Sequence, residues 1–341
     1  MERNYWLAIS YLLASKPQAL GKLKEKGPEE ILKDFGKQEI ETAISTGLSE
    51  IKSSSIEFVC QDDERYPKNL FDLECPPAAL FVFGGLPETQ DLIAMVGTRK
   101  ASPHGIGIAR NMAFEFSKTG IVVVSGMADG IDSASHWGAL DTDKPTIAIL
   151  GCGINQARSA TQRELKKRIS VKGAIVSEFP PNFPGDRWTF PWRNRIIAAL
   201  SKACLVIEAP KSSGALITAR DALDLGRYVL ACPGLPGMQN FEGCNKLIKD
   251  GALLVDSPSD VLSLYGKTTL YTDESLSETE KAILLACAVP CRIDEICDKT
   301  DLNAEALLGI ITVLDIKGLV IKLPNGFYAS RSFSDTKTGK N

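Results

Sequence analysis

Apolar runs of strand length recur through the middle of the chain, and segments with mixed apolar and polar positions separate them. The apolar runs are Leu92–Val96, Ile121–Val124, Thr146–Leu150, Ala174–Val176, Cys204–Ile207, Tyr228–Ala231 and Ala252–Val255. The helix-length segments between them include Ile106–Lys118, Ile131–Leu140, Gln162–Ile169 and Ala215–Leu225. Because continuous apolar strands alternate with helices in parallel sheets that are covered on both faces, the pattern predicts an α/β fold. We assign residues 58–265 to an extended Rossmann-like parallel sheet core.

The pattern changes on both sides of this core. Residues 1–57 carry helical patterning interrupted by glycines and predict a small helical domain. A polar linker is predicted at 266–274, after which Ser277 and Glu280 form a capping-box pattern ahead of an apolar run. Three helical segments then precede Asn325-Gly326, a dipeptide typical of tight hairpins. Residues 275–330 therefore predict a winged helix, and the polar tail at 331–341 is predicted to be disordered.

The composition of the 341 residues is that of a globular protein, since 44% are hydrophobic and 24% are charged. No apolar stretch reaches the length of a membrane span, and the first residues lack the features of a signal or transit peptide. Nine cysteines occur without a Cys-x-x-Cys pair, and there are two histidines. These features predict a cytoplasmic protein with free thiols, no metal site and no membrane partner.

Charge is unevenly distributed along the chain, although the net charge is only −3. Residues 158–195 contain nine basic and three acidic side chains, whereas residues 271–330 contain five basic and ten acidic side chains. An anionic partner is therefore expected to bind the middle of the chain. The acidic balance of the predicted winged helix opposes binding to duplex DNA, because affinity for DNA comes largely from neutralising phosphates. We expect that module to contact protein or to support a dimer.

Four of the predicted strands end in loops with small or helix-capping residues. These are "GTRKASPHG" after Val96, "SGMADGIDSASH" after Val124, "GCG" after Leu150 and "EAPKSSGALITA" after Ile207. Ligands of open parallel sheets bind beyond the carboxyl ends of the strands, where these loops should gather. Gly97 permits close backbone approach, Arg99 supplies a charge and Ser102 can cap a helix, a combination that suits a phosphate. The sequence has no Gly-x-x-x-x-Gly-Lys-Ser/Thr motif, so ATP hydrolysis is not predicted and no cofactor is assigned.

Aromatic and basic residues alternate between positions 179 and 195. The rings are Phe179, Phe183, Trp188, Phe190 and Trp192, and the basic residues are Arg187, Arg193 and Arg195. Exposed rings can stack on unpaired bases while arginines follow the phosphates, so the segment predicts a ring-lined, cationic trough for single-stranded nucleic acid. The alternative is that the tryptophans fasten a long loop to the core, because aromatic residues are core residues first.

Two pairs of residues could in principle support catalysis. One is Ser125 with His136, and the other is Glu178 with Glu208, each of which follows an apolar run. The spacing predicts no contact within the first pair. Carboxylates in the second are expected to orient arginines or cap loops, so we predict no catalytic site.

The loop sequences resemble those of the bacterial DNA-processing protein family DprA, also called Smf. The resemblance rests on "VGTRKASPHG" (96–105), "SGMADGIDSASHWGAL" (125–140), "TIAILGCG" (146–153), "SEFPP" (177–181), "FPWRNRIIAALS" (190–201), "VIEAPKSSGALITA" (206–219), "ACPG" (231–234) and "GCNKLIKDGA" (243–252). These blocks follow the order of the family. The segments before and after the core resemble, in outline, the SAM-like helical domain and the winged helix of the same family.

The resemblance implies a non-enzymatic protein that binds single-stranded DNA during natural transformation, helps to displace single-strand-binding protein and loads RecA. It also implies a homodimer formed through the Rossmann-like domain. The pocket residues that it implies are Arg99, Ser125, Gly126, Arg163, Arg193, Asn194, Arg195, Ser213 and Gly214. Replacing Arg193 and Arg195 together with glutamate is expected to abolish DNA binding and to leave the fold intact.

The chain departs from the family pattern after Gly153. There "INQARSATQREL" replaces a Tyr-Pro followed by Asn, and Gln162 stands where the Asn is expected. The resemblance therefore does not predict the shape of the pocket floor or the contacts made there. One alternative function is a hydrolase of the phosphoribohydrolase type, because related Rossmann-like folds cleave nucleoside monophosphates. The Gly-Gly-x-Gly-Thr loop of those enzymes is absent from the sequence. Another alternative is a transcription regulator that acts through the winged helix.

Overall fold

The chain divides into two units, and the boundary in the sequence falls between Thr269 and Leu270. The larger unit contains a nine-stranded sheet. The computed structural model describes residues 3–14, 29–156, 159–267, 276–316, 319–323 and 326–330. The strands are β1 (Glu57–Cys60), β2 (Ala79–Gly84), β3 (Leu92–Val96), β4 (Val122–Ser125), β5 (Thr146–Leu150), β6 (Ala174–Ser177), β7 (Ala203–Val206), β8 (Tyr228–Ala231) and β9 (Leu253–Leu254). Their order across the sheet is β1-β2-β6-β5-β4-β3-β7-β8-β9.

Strands β3 to β9 are mutually parallel, as the alternation of apolar runs and helices predicts. The helices of this unit are α1 (Arg3–Leu12), α2 (Lys37–Ser54), α3 (Pro103–Lys118), α4 (Ile131–Leu140), α5 (Ala160–Lys172), α6 (Thr189–Leu200), α7 (Ala215–Asp224), α8 (Glu242–Lys249) and α9 (Pro258–Leu264). Buried side chains of α6 and α7 form one core with the sheet, and those of α3 and α4 form another. The predicted α/β, Rossmann-like fold class is confirmed.

The sheet reverses its direction of growth between β3 and β7. The chain adds β4, β5 and β6 on one side of β3 and then returns to place β7 on the other side. The ladders pair Val96 with Val206 and Ser125 with Ala148, so the loops after these strands leave from the same edge. Loops diverge at such a switch point and leave a crevice between them, which is where open α/β sheets bind ligands.

Strands β1 and β2 were not predicted from the sequence. They extend the sheet antiparallel beyond β6, with Phe81 opposite Ser177, and so lack the crossover helices that mark the other strands. The N-terminal helices pack on this part of the sheet. Trp6 and Leu7 of α1 share a core with Phe58 and Phe81, and the Trp6 indole donates to Asp62 Oδ2 at 2.6 Å.

The smaller unit contains three helices and a three-stranded sheet. Its elements are α10 (Glu278–Ala286), β10 (Cys291–Arg292), α11 (Ile293–Thr300), α12 (Ala304–Ile316), β11 (Val320–Lys322) and β12 (Phe327–Ser330). Ser277 caps α10 in a capping box with Glu280, as predicted. Strands β11 and β12 pair antiparallel, which is the wing of the predicted winged helix. Asn325, most of the predicted linker and the tail at 331–341 lie outside the described residues.

Candidate nucleic-acid interface

Two adjoining cavities open at the carboxyl edge of the parallel strands. The first, the switch-point cavity, has a volume of about 320 Å³ and lies between the loops after β3 and β7. The second, the β4–β5 cavity, has a volume of about 210 Å³ and lies over the ends of those two strands. Both are lined by Arg99, Ala128, Phe190 and Arg193. The predicted gathering of loops at this edge therefore creates one continuous concave surface.

The N-terminus of α3 is already occupied by a carboxylate. Ser102 caps the helix by accepting from the Gly105 N–H at 3.0 Å, as predicted, and Pro103 takes the first helical position. The buried Glu208, which follows β7, accepts from the Ser102 N–H at 3.0 Å and from its hydroxyl at 2.8 Å. Because this carboxylate satisfies the helix end, the loop contributes Arg99 to the site but no free helix N-terminus.

The N-terminus of α7, in contrast, faces the switch-point cavity. Gly214 and Ser213 line that cavity, and a Cβ atom added at Gly214 would meet no atom within 4 Å. Asn194 donates from Nδ2 to the Gly214 carbonyl at 3.4 Å, which ties α6 to this turn. The N–H groups of Ala215, Leu216 and Ile217 already donate to Ser213 Oγ and to the carbonyls of Ser213 and Gly214. What this turn offers an anionic oxygen is therefore open space at Gly214 and the positive end of the helix dipole.

Arg99 is the exposed cation of the two cavities. It lines both of them, and its guanidinium lies 5.6 Å from the centre of the Phe190 ring. The contact with the ring limits the directions in which the long side chain can point. Phe190 is the one ring of the predicted trough that lines both cavities, so it is available to a base or sugar placed beside Arg99.

Arg193 is an interior residue, and the expectation of an exposed guanidinium is wrong. The side chain is 4% exposed and donates from Nη1 to the carbonyls of Gly126, at 2.8 Å, and Ile149. Burial lowers the pKa of Arg193 to about 10, although the nearby Asp132 carboxylate opposes the shift. The cation therefore persists at neutral pH beneath both cavities, where it joins the ends of β4 and β5.

Gly126 and Asp132 complete this interior arrangement. A Cβ atom at Gly126 would lie 2.5 Å from Arg193 Nη2 and 2.6 Å from Asp132 Oδ2, so the glycine leaves room for these two side chains where they lie. Burial raises the pKa of Asp132, while the charge of Arg193 opposes that shift. Asp132 was not identified from the sequence. The available signal was its place in the first turn of a helix that follows a glycine-rich strand end.

Arg195 is also buried, and it lines neither cavity. It is 9% exposed, forms an ion pair with the buried Glu178 and lies 4.4 Å from the centre of the Trp192 ring. Glutamate at both arginine positions would place carboxylates inside the protein, one of them beside Glu178. The predicted double substitution would therefore disturb the fold rather than report on DNA contact.

The other rings of the predicted trough form an internal cluster. Phe179 is buried and stacks on Phe183 with ring centres 5.0 Å apart. Trp188 packs edge-to-face with Phe179, with ring centres 5.9 Å apart. Trp192 is half-buried under Arg195. These contacts agree with the alternative interpretation, in which Trp188 and Trp192 fasten the loop after β6 to the core.

Besides Arg195, two predicted site residues lie outside the cavities. Ser125 is fully buried and donates its hydroxyl to the Met95 carbonyl at 2.6 Å. Arg163 is exposed on α5, one residue after Gln162, which lines the β4–β5 cavity and donates to Asp129 Oδ1 at 3.2 Å. Gln156 and Ser159 line the same wall, so the segment that departs from the family pattern shapes this cavity. Residues 157–158 are not among those described.

The candidate catalytic pairs do not form. His136 is buried with Nδ1 2.8 Å from Thr146 Oγ1, whereas Ser125 donates elsewhere. Burial lowers the pKa of His136 to about 3, and the charge of Arg193 adds to the effect. Glu178 is held by Arg195 and Glu208 by Ser102, the structural roles that were predicted for these carboxylates.

Within the described part of the chain, no group of three or more His, Cys, Asp or Glu side chains is placed to hold a metal ion. All nine cysteines are free thiols, and seven of them are buried. No helix among the described residues has the length and apolarity to cross a membrane.

Fold and site together define a Rossmann-like protein with a concave surface, lined by Arg99, at its topological switch point and with a winged helix. Comparison with known proteins narrows this class. Residues 57–266 match the family model described as DNA recombination-mediator protein A, and residues 272–326 match the DprA winged helix domain. The chain belongs to the DprA (Smf) family.

Two curated relatives are Protein Smf of Synechocystis and Protein Smf of Escherichia coli. The first is 36% identical over 261 residues, which are 75% of this chain and 65% of that protein. The second is 39% identical over 222 residues, which are 64% of this chain and 59% of that protein. The chain thus spans less than two thirds of the length of these relatives.

Two solved structures share the fold. DNA processing protein A of Streptococcus pneumoniae aligns with a TM-score of 0.62 at 28% identity, over 77% of this chain and 98% of that chain. DNA processing protein A of Helicobacter pylori aligns with a TM-score of 0.56 at 26% identity, over 62% of this chain and 95% of that chain. The second structure is described as giving insight into the single-stranded DNA binding mode of that protein.

Proposed function

We propose that this protein binds single-stranded DNA without sequence preference and mediates recombination during DNA uptake, by loading RecA and helping to displace single-strand-binding protein. The observation that carries the proposal is the joined pair of cavities at the switch point, with Arg99 on one wall and, on the other, the positive end of the α7 dipole beside the open space at Gly214. An anion-binding crevice that is bordered by a ring suits a phosphate and its attached nucleoside. The H. pylori relative supports the same ligand.

The residues of the site divide into two groups under this proposal. Arg99, Asn194, Ser213 and Gly214 line the switch-point cavity and would contact the strand, with Phe190 beside the base. Four interior residues would hold the surface in shape without contacting DNA, and these are Ser125, Gly126, Arg193 and Arg195. Arg163 would act outside the cavities. The proposed chemistry is non-covalent, with no catalytic residue and no cofactor.

Binding is tested by titrating labelled oligo-dT and a duplex of equal length with the purified protein, at several salt concentrations. We expect tighter binding of the single strand without any nucleotide, and affinity that falls as salt rises. Equal affinity for both ligands, or affinity that does not depend on salt, would contradict the proposal. Release of free base from a nucleoside monophosphate, measured in parallel, would instead support the phosphoribohydrolase alternative.

A homodimer is proposed through the β9 edge of the sheet. Leu223 is 66% exposed, Tyr228 is 50% exposed, and Leu253 and Leu254 of the edge strand are similarly exposed. The first three line a cavity of about 510 Å³ between α7 and α8. Contiguous apolar surface beside an open strand edge is typical of an interface. Leu253→Glu should give a monomer in light scattering, whereas Leu48→Glu, at an exposed leucine outside this cavity, should remain dimeric.

The winged helix is proposed to contact protein rather than duplex DNA. In this unit Leu285 is 79% exposed, and Leu308 and Val313 lie exposed on α12. An apolar and acidic helix surface is suited to a protein partner and unsuited to phosphates. Retention of RecA by the immobilised full-length protein is the measurement that checks the partner.

We also propose a cytoplasmic location, which the nine free thiols support.

A further inference from the structure

The basic segment of the sequence is mostly engaged in internal contacts. Arg193 and Arg195 are buried, and Lys166 donates to the Ile154 carbonyl. Arg168 pairs with Glu164 at 3.5 Å, and Lys172 pairs with Asp143 at 2.8 Å. Among the described residues of the segment, Arg163, Lys167 and Arg187 remain exposed and without an ion pair. The surface charge is therefore concentrated in fewer places than the sequence indicates.

Two of these free cations form a stripe on α5. Arg163 and Lys167 are four residues apart, so they lie on the same face of the helix, with a rise of about 6 Å between them. Ser159 caps this helix, and Ser159 and Gln162 line the β4–β5 cavity. Arg163 and Lys167 therefore lie about 6 Å and about 12 Å along the helix axis from the cavity rim.

The surroundings leave this stripe positively charged. The ammonium of Lys166 turns inward to lie 5.9 Å from the centre of the Phe83 ring, and the acid of α5, Glu164, is paired with Arg168. The next position on the stripe is Val171, which is 73% exposed and uncharged. The stripe therefore begins near the cavity rim, provides two cations in line and ends after Lys167.

We infer that the Arg163–Lys167 stripe binds two successive backbone phosphates of the single strand that leaves the β4–β5 cavity. The inference rests on the proposed single-stranded DNA binding and extends it, because it assigns the side on which the strand leaves the cavity and adds Lys167 to the contacts. Grooves that hold single strands without sequence preference track the backbone with positive charge. The site on one protomer is therefore longer than the two cavities.

The test compares Lys167→Gln and Arg163→Gln with wild type on two lengths of oligo-dT, about 3 and about 20 nucleotides, of which the longer exceeds typical site sizes. Each variant should reduce the slope of log K against log salt by about 0.7 on the long oligonucleotide, because one phosphate contact is lost. At 0.1 M salt this loss corresponds to affinity about fivefold weaker, relative to a 1 M reference. Binding of the short oligonucleotide, which the cavities alone can hold, should not change for Lys167→Gln.

Lys144→Gln is the matched control. Lys144 is an exposed lysine just before the amino end of β5, at the edge of the sheet opposite the cavities, and its replacement should leave both slopes unchanged. A wild-type slope for Lys167→Gln on the long oligonucleotide would overturn the inference while the short-oligonucleotide binding still supports the proposed function. If wild type binds neither oligonucleotide, the proposed function fails and the inference fails with it.

Discussion

The buried pair of Glu178 and Arg195 gives the most decisive test of how α6 is held. The pair is almost completely enclosed, with side-chain exposures of 4% and 11%, and the Trp192 ring covers the guanidinium. Glu178→Leu would leave the arginine charged and without its partner in the interior. Removing one member of a buried pair typically costs about 3–5 kcal/mol of the free energy of unfolding.

The expected consequence is a large fall in melting temperature. For a unit of this size, each kcal/mol lowers Tm by about 2–4 °C, so Glu178→Leu should lower it by about 6–20 °C. Arg195→Met should be destabilised for the same reason, because Glu178 would then be the unpaired charge. The double variant should recover most of the loss, since a buried pair can often be replaced by apolar side chains of similar volume.

Calorimetry of wild type, Glu178→Leu, Arg195→Met and the double variant gives the coupling energy of the pair in a double-mutant cycle. Titration with oligo-dT measures the DNA affinity of each folded variant. We expect strong coupling in stability and wild-type DNA affinity for the double variant. If Arg195→Met instead kept the Tm of wild type and lost DNA affinity, the side chain would be a DNA contact and our account of α6 would be wrong.

Two further predictions concern stability. The pKa of His136 is lowered from 6.5 to about 3 by burial, so the folded state binds fewer protons than the unfolded chain between these values. Its contribution to the free energy of unfolding is therefore complete above pH 6.5 and falls by about 1.4 kcal/mol per pH unit below it. Urea unfolding at several pH values should show a flatter profile for His136→Asn, and an unchanged profile would contradict this. In α3, Gly105→Ala would clash with Glu208 and cost about 2 kcal/mol or more, whereas Gly107→Ala, which meets no atom, should gain about 1 kcal/mol. Similar melting temperatures for the two alanine variants would refute the capping role of Glu208.

The parallel sheet could be predicted because its strands are buried on both faces and carry continuous apolar runs. The caps at Ser102 and Ser277 could also be predicted, since capping depends on local sequence. Strands β1 and β2 could not, because antiparallel edge strands without crossover helices carry no such alternation. Rules based on local sequence therefore predicted the helix ends and the parallel strands, but not the antiparallel edge strands β1 and β2.

The roles of the two arginines could not be derived from their sequence positions. Residues 193 and 195 are separated by about 200° around a helix, so they point in opposite directions, and α6 is covered on both of these sides. The signal that could have assigned Arg195 is Glu178, a lone carboxylate directly after a buried strand that requires a partner. Gly214 and Arg99 were placed at the cavity by the strand-end rule, which depends on topology alone.

The central claim is that the N-terminus of α7 holds a phosphate of single-stranded DNA, and Gly214 allows that claim to be tested by charge alone. A side chain at this position has open space, and the backbone has φ −60° and ψ −20°, a conformation that Asp and Asn adopt without strain, so both variants should fold. The oligo-dT affinity of Gly214→Asp should be at least about tenfold weaker than that of Gly214→Asn, because like charges about 4 Å apart near a protein surface repel by about 4 kcal/mol before screening by salt. Equal affinities of the two variants for oligo-dT would contradict the account.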